Sequence, residues 1–377
     1  MIIDCHAHVF QNWQEAAGHP STAVHLKYLQ KIVTRPAAKA FRARDGKRVK
    51  TDMLYRPGDN SWAGLTEVNF RVGSHGRLFF THEGEDHYVQ YMPVGMQEMV
   101  CSPEFMIAQM INAEVDHCIL QAGGGYGVMN DYNAFAQSQH PDRFSGLLNI
   151  DEGMADRPEI LTEVDRAVKA LRLKGVHYSH DMSRHGYERN LDHPDFGPFW
   201  EKIAGYGLPA FVELFATPNY DKPSYLANLD AFGRLARRYR TTRFLMVMGP
   251  SVGHLAPKGS WAFPDEVAAT LKLDNVWVEV MFPISWGGVW DYPYPEAQSL
   301  IRELRDLLGA SKLVWGSDMP NVERFCTYRQ CVDYVRRYCG FLSASEKDQI
   351  LGLNAAGLIG LERKPRSVAA QQVGEAC

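Results

Sequence analysis

Ile2-Ile3-Asp4-Cys5-His6-Ala7-His8 opens the chain as an apolar run with the length and composition of a buried strand. From residue 100 onward, similar runs alternate with amphipathic segments, which is typical of strand–helix units around a parallel sheet. The predicted later strands are Asp116–Gln121, Ser145–Ile150, Lys174–Tyr178, Ala210–Leu214, Phe244–Met248, Val276–Met281 and Lys312–Trp315. With the opening run they make eight, so we expect an α/β protein with a (β/α)8 TIM barrel. A doubly wound open sheet is the main alternative.

The segments between these strands have the apolar period of helices. The predicted helices are Pro103–Ala113, Pro158–Leu171, Phe199–Tyr206, Leu226–Arg238, Pro295–Leu308 and Tyr328–Cys339.

The chain has 377 residues, more than the roughly 250 that such a barrel typically takes. We place the barrel at 1–19 and 100–361, an insertion after strand one at 20–99, and a disordered polar tail at 362–377. The insertion is predicted to hold a basic helix at His25–Arg44 and a hairpin of Arg77–Thr81 and His87–Met92. It follows the end of strand one where barrel sites lie, so we expect it to set substrate specificity; a structural or subunit-packing flap is the alternative.

Charge and composition exclude several classes of protein. The 40 Lys and Arg residues against 44 Asp and Glu give a net charge of −4, too balanced for a nucleic-acid binder. No apolar run reaches the roughly 18 residues of a membrane span, and the N-terminus does not resemble a signal peptide, which predicts a cytoplasmic protein without membrane partners. Seven scattered cysteines, an odd number, favour reduced thiols over structural disulfides.

Two motifs predict a metal site. Alternate side chains of a strand share a face, so His6 and His8 point the same way at the end of strand one. Neutral imidazoles are common metal ligands, although a solvated histidine pair is the alternative. In Leu313-Val-Trp-Gly-Ser-Asp318-Met-Pro320, an apolar strand ends on a carboxylate beside strand one across the barrel seam. Asp318 is therefore a third candidate ligand, or else a helix cap.

Together with the closing segment 342–358, these motifs resemble the amidohydrolase superfamily. The sequence is most similar to the branch that contains aminocarboxymuconate semialdehyde decarboxylase and the nonoxidative hydroxybenzoate decarboxylases. The resemblance covers about 2–20 and 100–360 and leaves most of the insertion unexplained.

The resemblance implies a (β/α)8 barrel that holds one divalent metal ion, zinc first and manganese second. In the family, the ligands are two histidines of strand one, a histidine ending strand five and an aspartate ending strand eight, while a histidine ending strand six acts as acid or base. His6, His8 and Asp318 match, and Asp318 counts among the catalytic residues as well. The chain departs from the pattern at Glu213, which we expect as the fourth ligand, and at Met248, which cannot transfer a proton.

Other histidines could supply the missing acid or base. His177 lies near the end of predicted strand four and is a candidate acid or base, or else an additional metal ligand. His254 lies six residues beyond Met248 and is a second candidate catalytic residue. His180 is assigned to substrate binding, with the roles of His177 and His180 exchanged if the strand register slips by one residue. For each, a hydrogen-bonded non-catalytic histidine is the alternative.

Aromatic and basic residues indicate the kind of substrate. Trp286 follows strand seven, where its ring could stack on a planar ligand, and Arg56 of the insertion could hold a carboxylate. The leading hypothesis is a metal-dependent nonoxidative decarboxylase acting on a small aromatic or muconate-type carboxylate. The alternatives are a hydrolase of a lactone, amide or ring-opened catabolite, a hydratase of an unsaturated acid, and a barrel that binds a ligand without catalysis. By resemblance, we expect a homodimer.

Overall fold

The structure is a computed structural model that describes residues 1–34, 39–59, 61–123, 125–180, 189–214 and 221–362. In these ranges the strands are β1 (Ile3–Ala7), β2 (Ala40–Arg42), β3 (Arg48–Val49), β4 (Arg71–Val72), β5 (Arg77–His82), β6 (Glu85–Gln90), β7 (His117–Leu120), β8 (Phe144–Gly146), β9 (Val176–Ser179), β10 (Ala210–Glu213), β11 (Phe244–Val247), β12 (Val276–Val280) and β13 (Leu313–Trp315).

Eight of these strands pair in parallel and form two sheets, in the orders β1-β7-β8 and β13-β12-β11-β10-β9. Isolated parallel bridges link the two sheets at both ends, between Ala7 and Met319 and between Leu148 and Val176. The protein is therefore of the α/β class with parallel sheets, and the strands match the eight predicted ones to within a few residues at each end.

The helices are α1 (Thr22–Val33), α2 (Pro103–Ala113), α3 (Asn130–Gln139), α4 (Pro158–Lys169), α5 (Gly197–Gly205), α6 (Lys222–Arg238), α7 (Val252–Leu255), α8 (Asp265–Leu271), α9 (Phe282–Trp286), α10 (Pro295–Leu308), α11 (Tyr328–Asp333), α12 (Ala344–Asp348) and α13 (Asn354–Ile359). The predicted helix Tyr328–Cys339 is α only in its first half, because Tyr334–Tyr338 continues it as a π-helix. None of the helices in the described ranges is long and apolar enough to cross a membrane.

Apolar side chains of the parallel strands form two buried clusters. One cluster contains residues such as Ile3, Ile119, Phe211 and Leu245, and is closed by Leu358 of α13. The other contains the neighbouring positions along the same strands together with the helices. Because side chains alternate between the two faces of a strand, this division is expected for a sheet covered on both faces.

A third sheet, which is antiparallel, lies between β1 and β7 in the sequence and has the order β3-β2-β6-β5-β4. Its β5–β6 hairpin confirms the predicted one and turns at Glu83 and Gly84, both with positive φ (51° and 76°). The predicted helix His25–Arg44 is wrong in its second half, because Ala40–Arg42 is a strand of this sheet. Phe41 and Tyr88 pair across it, and this cross-strand contact favours the extended form.

Helix α1 connects this segment to the end of β1. The side-chain amide of Gln30 donates hydrogen bonds to the carbonyls of Leu54 and Thr66, each 2.9 Å long. Beyond β1, Phe10 forms an antiparallel bridge with Cys101, so both ends of the segment return to the parallel sheet. The predicted disordered tail, 362–377, lies outside the described residues apart from Glu362.

Candidate metal centre

The ends of β1 and β13 hold the candidate site. The Asp318 N–H donates to the carbonyl of His6 at 2.7 Å, and the His8 N–H donates to the carbonyl of Met319 at 2.8 Å. Asp318 has a φ of 63°, a left-handed conformation that this short polar residue tolerates. These bonds fix the first and last parallel strands to each other where the predicted ligands lie.

His6, His8 and Asp318 form a buried group in which one potential ligand atom of each lies within 4.8 Å of the others. His8 Nε2 is 2.9 Å from Asp318 Oδ1, and His6 Nε2 is 3.8 Å from the same oxygen. The Nδ1 atoms face other partners: Glu279 Oε2 at 3.3 Å for His6 and the Gln121 carbonyl at 3.0 Å for His8. Both imidazoles therefore present Nε2 to the aspartate.

The carboxylates around the two histidines affect their protonation differently. Burial acts to lower the pKa of His6, but the charges of Glu279, Asp318 and Glu213 outweigh it and raise this pKa to about 9. Burial prevails at His8 and lowers its pKa. Burial would raise the pKa of Asp318, yet the His8 hydrogen bond and nearby positive charges lower it. The site thus favours a cation next to an ionised Asp318.

His177, inside β9, lies close to Glu213, the last residue of β10, with His177 Nε2 3.7 Å from Glu213 Oε2. His177 Nδ1 is 2.6 Å from the Ala122 carbonyl, and this contact assigns the ring proton to Nδ1. Burial lowers the pKa of His177 to about 3, so the imidazole is neutral. Among the described residues, neither His177 nor Glu213 belongs to the group formed by His6, His8 and Asp318.

Asp4 supports the site from within β1. Its carboxylate accepts hydrogen bonds from the Ser317 N–H at 3.0 Å, the Ser317 hydroxyl and the Tyr328 hydroxyl at 2.7 Å. Burial raises the pKa of Asp4 to about 6. The carboxylate therefore connects β1 to the residue before Asp318 and to α11.

Tyr126 and Asn321 complete one wall of the site, although no motif in the sequence assigns either residue to it. The Tyr126 ring stacks on His8, with ring centroids 4.2 Å apart and planes 14° apart. The Asn321 side-chain amide donates to the Tyr126 hydroxyl at 2.8 Å and to Asp318 at 3.3 Å. One chain of contacts thus holds the His8 ring and the Asp318 carboxylate.

Glu279 is a third site residue that no sequence motif identifies. It is fully buried in β12, and its carboxylate contacts His6, the Cys5 thiol at 3.1 Å and the Met248 N–H. The signal was present, since a glutamate inside the apolar strand Val276–Val280 is unusual for a buried strand.

Met248 and His254 lie at and beyond the end of β11. Met248 has a φ of 61° and directs its N–H at Glu279. His254 lies in α7, where its ring is 5.5 Å from the Tyr225 ring. Burial lowers the pKa of His254, and the charged groups that act on it are Lys222 and Asp221, rather than the residues of the site.

The three residues assigned to the substrate have different surroundings. His180 is buried just after β9. Trp286 is partly buried in α9 and stacks on Trp290 at 5.4 Å. The Arg56 side chain is 62% exposed and contacts Ala63 and Asp59 in its own loop.

The donor set of the His6, His8 and Asp318 group fits a divalent ion. Two neutral imidazole nitrogens and a carboxylate oxygen are ordinary ligands of zinc and manganese. Each ligating histidine usually donates its other N–H to a carboxylate or a carbonyl, and Glu279 and Gln121 provide these acceptors here. The residues present are therefore compatible with one metal ion.

Comparison with known proteins places this geometry in a family. The family model described as amidohydrolase matches residues 3–361, whereas none of the curated proteins matches the chain. A 2,6-dihydroxybenzoate decarboxylase, solved with 2,6-dihydroxybenzoate, is 13% identical with a TM-score of 0.53, covering 72% of this chain and 90% of that one.

Two further solved structures are similar. A dihydroxybenzoic acid decarboxylase from a Polaromonas species, with bound manganese and 2-nitroresorcinol, is 14% identical with a TM-score of 0.51, covering 69% of this chain and 86% of that one. A probable 2-pyrone-4,6-dicarboxylic acid hydrolase from Acinetobacter baumannii, with citric acid bound, is 17% identical with a TM-score of 0.52, covering 69% and 90%. At these identities the likeness establishes a shared fold, and the family match extends over nearly the whole described chain: the protein belongs to the amidohydrolase family.

Proposed function

We propose that the protein is a metal-dependent nonoxidative decarboxylase that releases carbon dioxide from a small aromatic or muconate-type carboxylate. The observation that carries the proposal is the buried group of His6, His8 and Asp318, with Nε2 of both imidazoles directed at the aspartate. Two structural neighbours named as dihydroxybenzoate decarboxylases support this chemistry, and one of them holds manganese.

The proposal includes the architecture around the site. We infer that the eight parallel strands form one (β/α)8 barrel at 1–19 and 100–361, since the two bridges link the parallel sheets at both ends. The segment 20–99, with α1 and the antiparallel sheet, is then an insertion after β1. Because β1 ends at His6 and His8, this insertion lies next to the site in sequence and is suited to shape the substrate pocket.

The metal ion would be held by His6, His8 and Asp318, with Glu213 as the proposed fourth ligand. When bound, a divalent cation would supply a positive charge that orients a substrate carboxylate or phenolate. Zinc and manganese both suit this donor set. Loss of metal in Glu213→Ala would support its role as a ligand, whereas full metal content would leave Glu213 only as the partner of His177.

His177 is the proposed acid–base residue. Decarboxylation breaks the bond between the ring carbon and the carboxylate carbon, and the ring carbon must then receive a proton. His177 keeps its proton on Nδ1, against the Ala122 carbonyl, and leaves Nε2 facing Glu213. His177 Nε2 would act first as a base that takes a proton from a substrate hydroxyl or a water molecule, and would then return this proton to the ring carbon, which would compensate for the absence of a histidine at Met248.

Three other residues retain proposed roles. Trp286 and His180 would contact the substrate, and Arg56 would hold its carboxylate if the insertion loop reaches the site. Arg324 is a second candidate for the carboxylate, because its charge contributes to lowering the pKa of Asp318. His254 remains a catalytic candidate only if its loop approaches the substrate, since its present ring contact is Tyr225.

The test is an assay of purified protein loaded with manganese or zinc against hydroxybenzoates, with 2,6-dihydroxybenzoate first. Carbon dioxide should be released, and a reaction in deuterated water should place deuterium on the product ring at the vacated carbon. His8→Ala and Asp318→Asn should abolish turnover, whereas Arg42→Gln in the antiparallel sheet serves as a surface control. No carbon dioxide across a broad panel with fully metal-loaded protein would contradict the proposal.

A hydrolase is the second candidate, favoured by the likeness to the pyrone dicarboxylic acid hydrolase. Product mass separates the two activities, because a hydrolase adds water to its substrate and a decarboxylase removes carbon dioxide. Incubation with 2-pyrone-4,6-dicarboxylate tests this candidate directly: ring opening without release of carbon dioxide would replace the decarboxylase proposal.

A further inference from the structure

Glu279 is a fully buried carboxylate on a strand that the family pattern does not assign to the metal. It lies in β12 on the same face as Trp277, which packs against the apolar cluster that contains Ile3 and Phe211. Moving a carboxylate out of water is costly unless hydrogen bonds or an opposite charge compensate it. The contacts of the Glu279 carboxylate must therefore compensate for the cost of its burial.

Three groups among the described residues form hydrogen bonds with the Glu279 carboxylate or lie within hydrogen-bond distance of it. The Cys5 thiol lies 3.1 Å from Oε1, His6 Nδ1 lies 3.3 Å from Oε2, and the Met248 N–H also donates to Oε2. Burial raises the pKa of Cys5 well above its usual value, so the thiol remains a donor. Within the described ranges, the ion pair that involves Glu279 is the one with His6.

The neighbouring backbone is shaped around this carboxylate. A side chain at Gly316 would place its Cβ 2.1 Å from Glu279 Oε1 and 2.9 Å from the Cβ of His6. Gly316 therefore leaves the room that the carboxylate occupies between β12 and β1. Packing therefore explains the glycine of the Gly-Ser-Asp motif. The strand ends leave space for the Glu279 carboxylate at this position.

The contact with His6 determines how that imidazole is presented. A carboxylate that accepts a hydrogen bond from Nδ1 keeps a proton on that nitrogen, so the proton that a bound metal ion would displace is the one on Nε2. His6 Nε2 is the atom directed at Asp318. His8 obtains the same orientation from the Gln121 carbonyl, so His6 is distinguished by having a carboxylate as the acceptor.

We propose that Glu279 is a positioning residue that orients His6 for metal binding and strengthens it as a ligand through a carboxylate–imidazole contact. The inference rests on the metal site of the proposed function but not on the reaction carried out there. Hydrogen-bond partners of metal ligands typically raise metal affinity about 10- to 100-fold. We therefore expect the metal affinity to fall by about this factor when Glu279 is replaced.

The test compares Glu279→Gln with Glu152→Gln by competition against a chelator for zinc and for manganese. Glu152 is the matched control, since it is also a buried glutamate that accepts a backbone hydrogen bond, from Ser179 at 2.9 Å, but it makes no contact with His6. Glu279→Gln should weaken metal binding about 10- to 100-fold, and Glu152→Gln by less than about threefold. Equal affinities for wild type and Glu279→Gln would overturn the proposal.

Two further measurements separate positioning from a general structural role. Glu279→Asp keeps the charge, and its metal affinity should lie between those of wild type and Glu279→Gln; an affinity no better than that of Glu279→Gln would count against the proposal. In wild-type protein loaded with zinc, nitrogen NMR of labelled histidines should show His6 protonated at Nδ1. A proton at Nε2 would overturn the proposal even if no variant folds.

These outcomes are distinguishable from failure of the proposed function. Chelator competition and NMR require no substrate, so a large Glu279 effect in a protein that decarboxylates nothing would leave the inference standing. Conversely, an active decarboxylase whose metal affinity does not depend on Glu279 would refute the inference alone.

Discussion

Arg324 carries a positive charge close enough to the site to help lower the pKa of Asp318. It lies in the short 3₁₀ helix Asn321–Arg324, where its Nε donates to the carbonyl of Asn321 at 3.2 Å. The Asn321 side chain contacts both Asp318 and Tyr126, so Arg324 belongs to the same segment as the wall of the site. Arg56, in contrast, is paired with Asp59 at 3.4 Å and largely exposed.

We therefore predict that Arg324→Gln raises KM for an aromatic carboxylate about tenfold or more, with a smaller effect on kcat, because a charge-assisted hydrogen bond contributes roughly 1.5–3 kcal/mol. Arg56→Gln is the control and should change KM less than about twofold. Steady-state kinetics on both variants show which arginine binds the substrate carboxylate. A larger rise in KM for Arg56→Gln than for Arg324→Gln would assign this role to Arg56.

Glu152 gives a second prediction for a single residue, this time of stability. Burial raises the pKa of Glu152 well above its usual value of 4.5, and the charges of Asp151 and Glu213 add to the shift. The native state therefore retains a proton that the unfolded chain loses above about pH 4.5. Since the unfolded state then binds fewer protons, the contribution of Glu152 to the free energy of unfolding falls as pH rises through this window.

Glu152→Gln removes this titration and can still accept the hydrogen bond from Ser179. Its Tm should exceed that of wild type by about 1–3 °C at pH 8, and the difference should shrink towards pH 5. Thermal melts at a series of pH values measure this directly. A Tm difference independent of pH would show that Glu152 is ionised in the native state.

Local sequence predicted His6, His8 and Asp318 because each lies at the end of a recognisable strand. Glu279 and Tyr126 could not be found in this way. Glu279 meets His6 across 273 positions of sequence, and Tyr126 contacts His8 only through folding of the chain after β7. Residues that act through another side chain carry no spacing pattern of their own, so the structure was needed to identify them.

At the scale of secondary-structure elements, Asp4 connects β1, the end of β13 and α11. It receives hydrogen bonds from both the N–H and the hydroxyl of Ser317 and from the hydroxyl of Tyr328. The pKa of Asp4 is about 6, so at pH 7.5 it is mainly a carboxylate that accepts all of them. An asparagine would place an NH2 group opposite at least one of these donors.

Asp4→Asn should therefore lower the free energy of unfolding at pH 7.5 by about 2–4 kcal/mol, because buried donors lose their acceptor. It should also weaken metal binding, since Ser317 precedes Asp318. Denaturant titration measures the first effect and chelator competition the second. Ser317→Ala removes one hydrogen-bond donor and leaves the Asp4 carboxylate, so it should lower the free energy of unfolding less than Asp4→Asn does. A larger decrease for Ser317→Ala would contradict this account.

The predicted helix bounds were most accurate where the apolar period of the segment and the residues that mark a helix end indicated the same positions. Helices Pro103–Ala113 and Pro295–Leu308 were predicted to the residue, as proline marks the first position of each. Prediction failed at Ala40–Arg42, where a basic stretch with helical composition pairs with β6 instead. Pairing between distant segments outweighed local propensity there, as is usual for strands.

At the scale of the whole molecule, the first and last parallel strands meet at the candidate metal site. Ala7 and Met319 form a bridge, and hydrogen bonds join His8 to Met319 and His6 to Asp318. A ligand that binds only the native state stabilises it, by about 2.7 kcal/mol at a concentration one hundred times its Kd. A metal ion held by residues of both strands should concentrate that stabilisation where the two strands meet.

We predict that removing the metal with a chelator lowers Tm by several degrees and accelerates amide hydrogen exchange at 3–8 and 315–321 together. Exchange in the antiparallel sheet at 77–90 should change little, because its hydrogen bonds are internal. Hydrogen exchange with mass spectrometry compares the loaded and stripped protein, and stripped wild type should resemble His8→Ala. Faster exchange confined to one of the two strands, or spread evenly over the chain, would show that the metal does not hold them together.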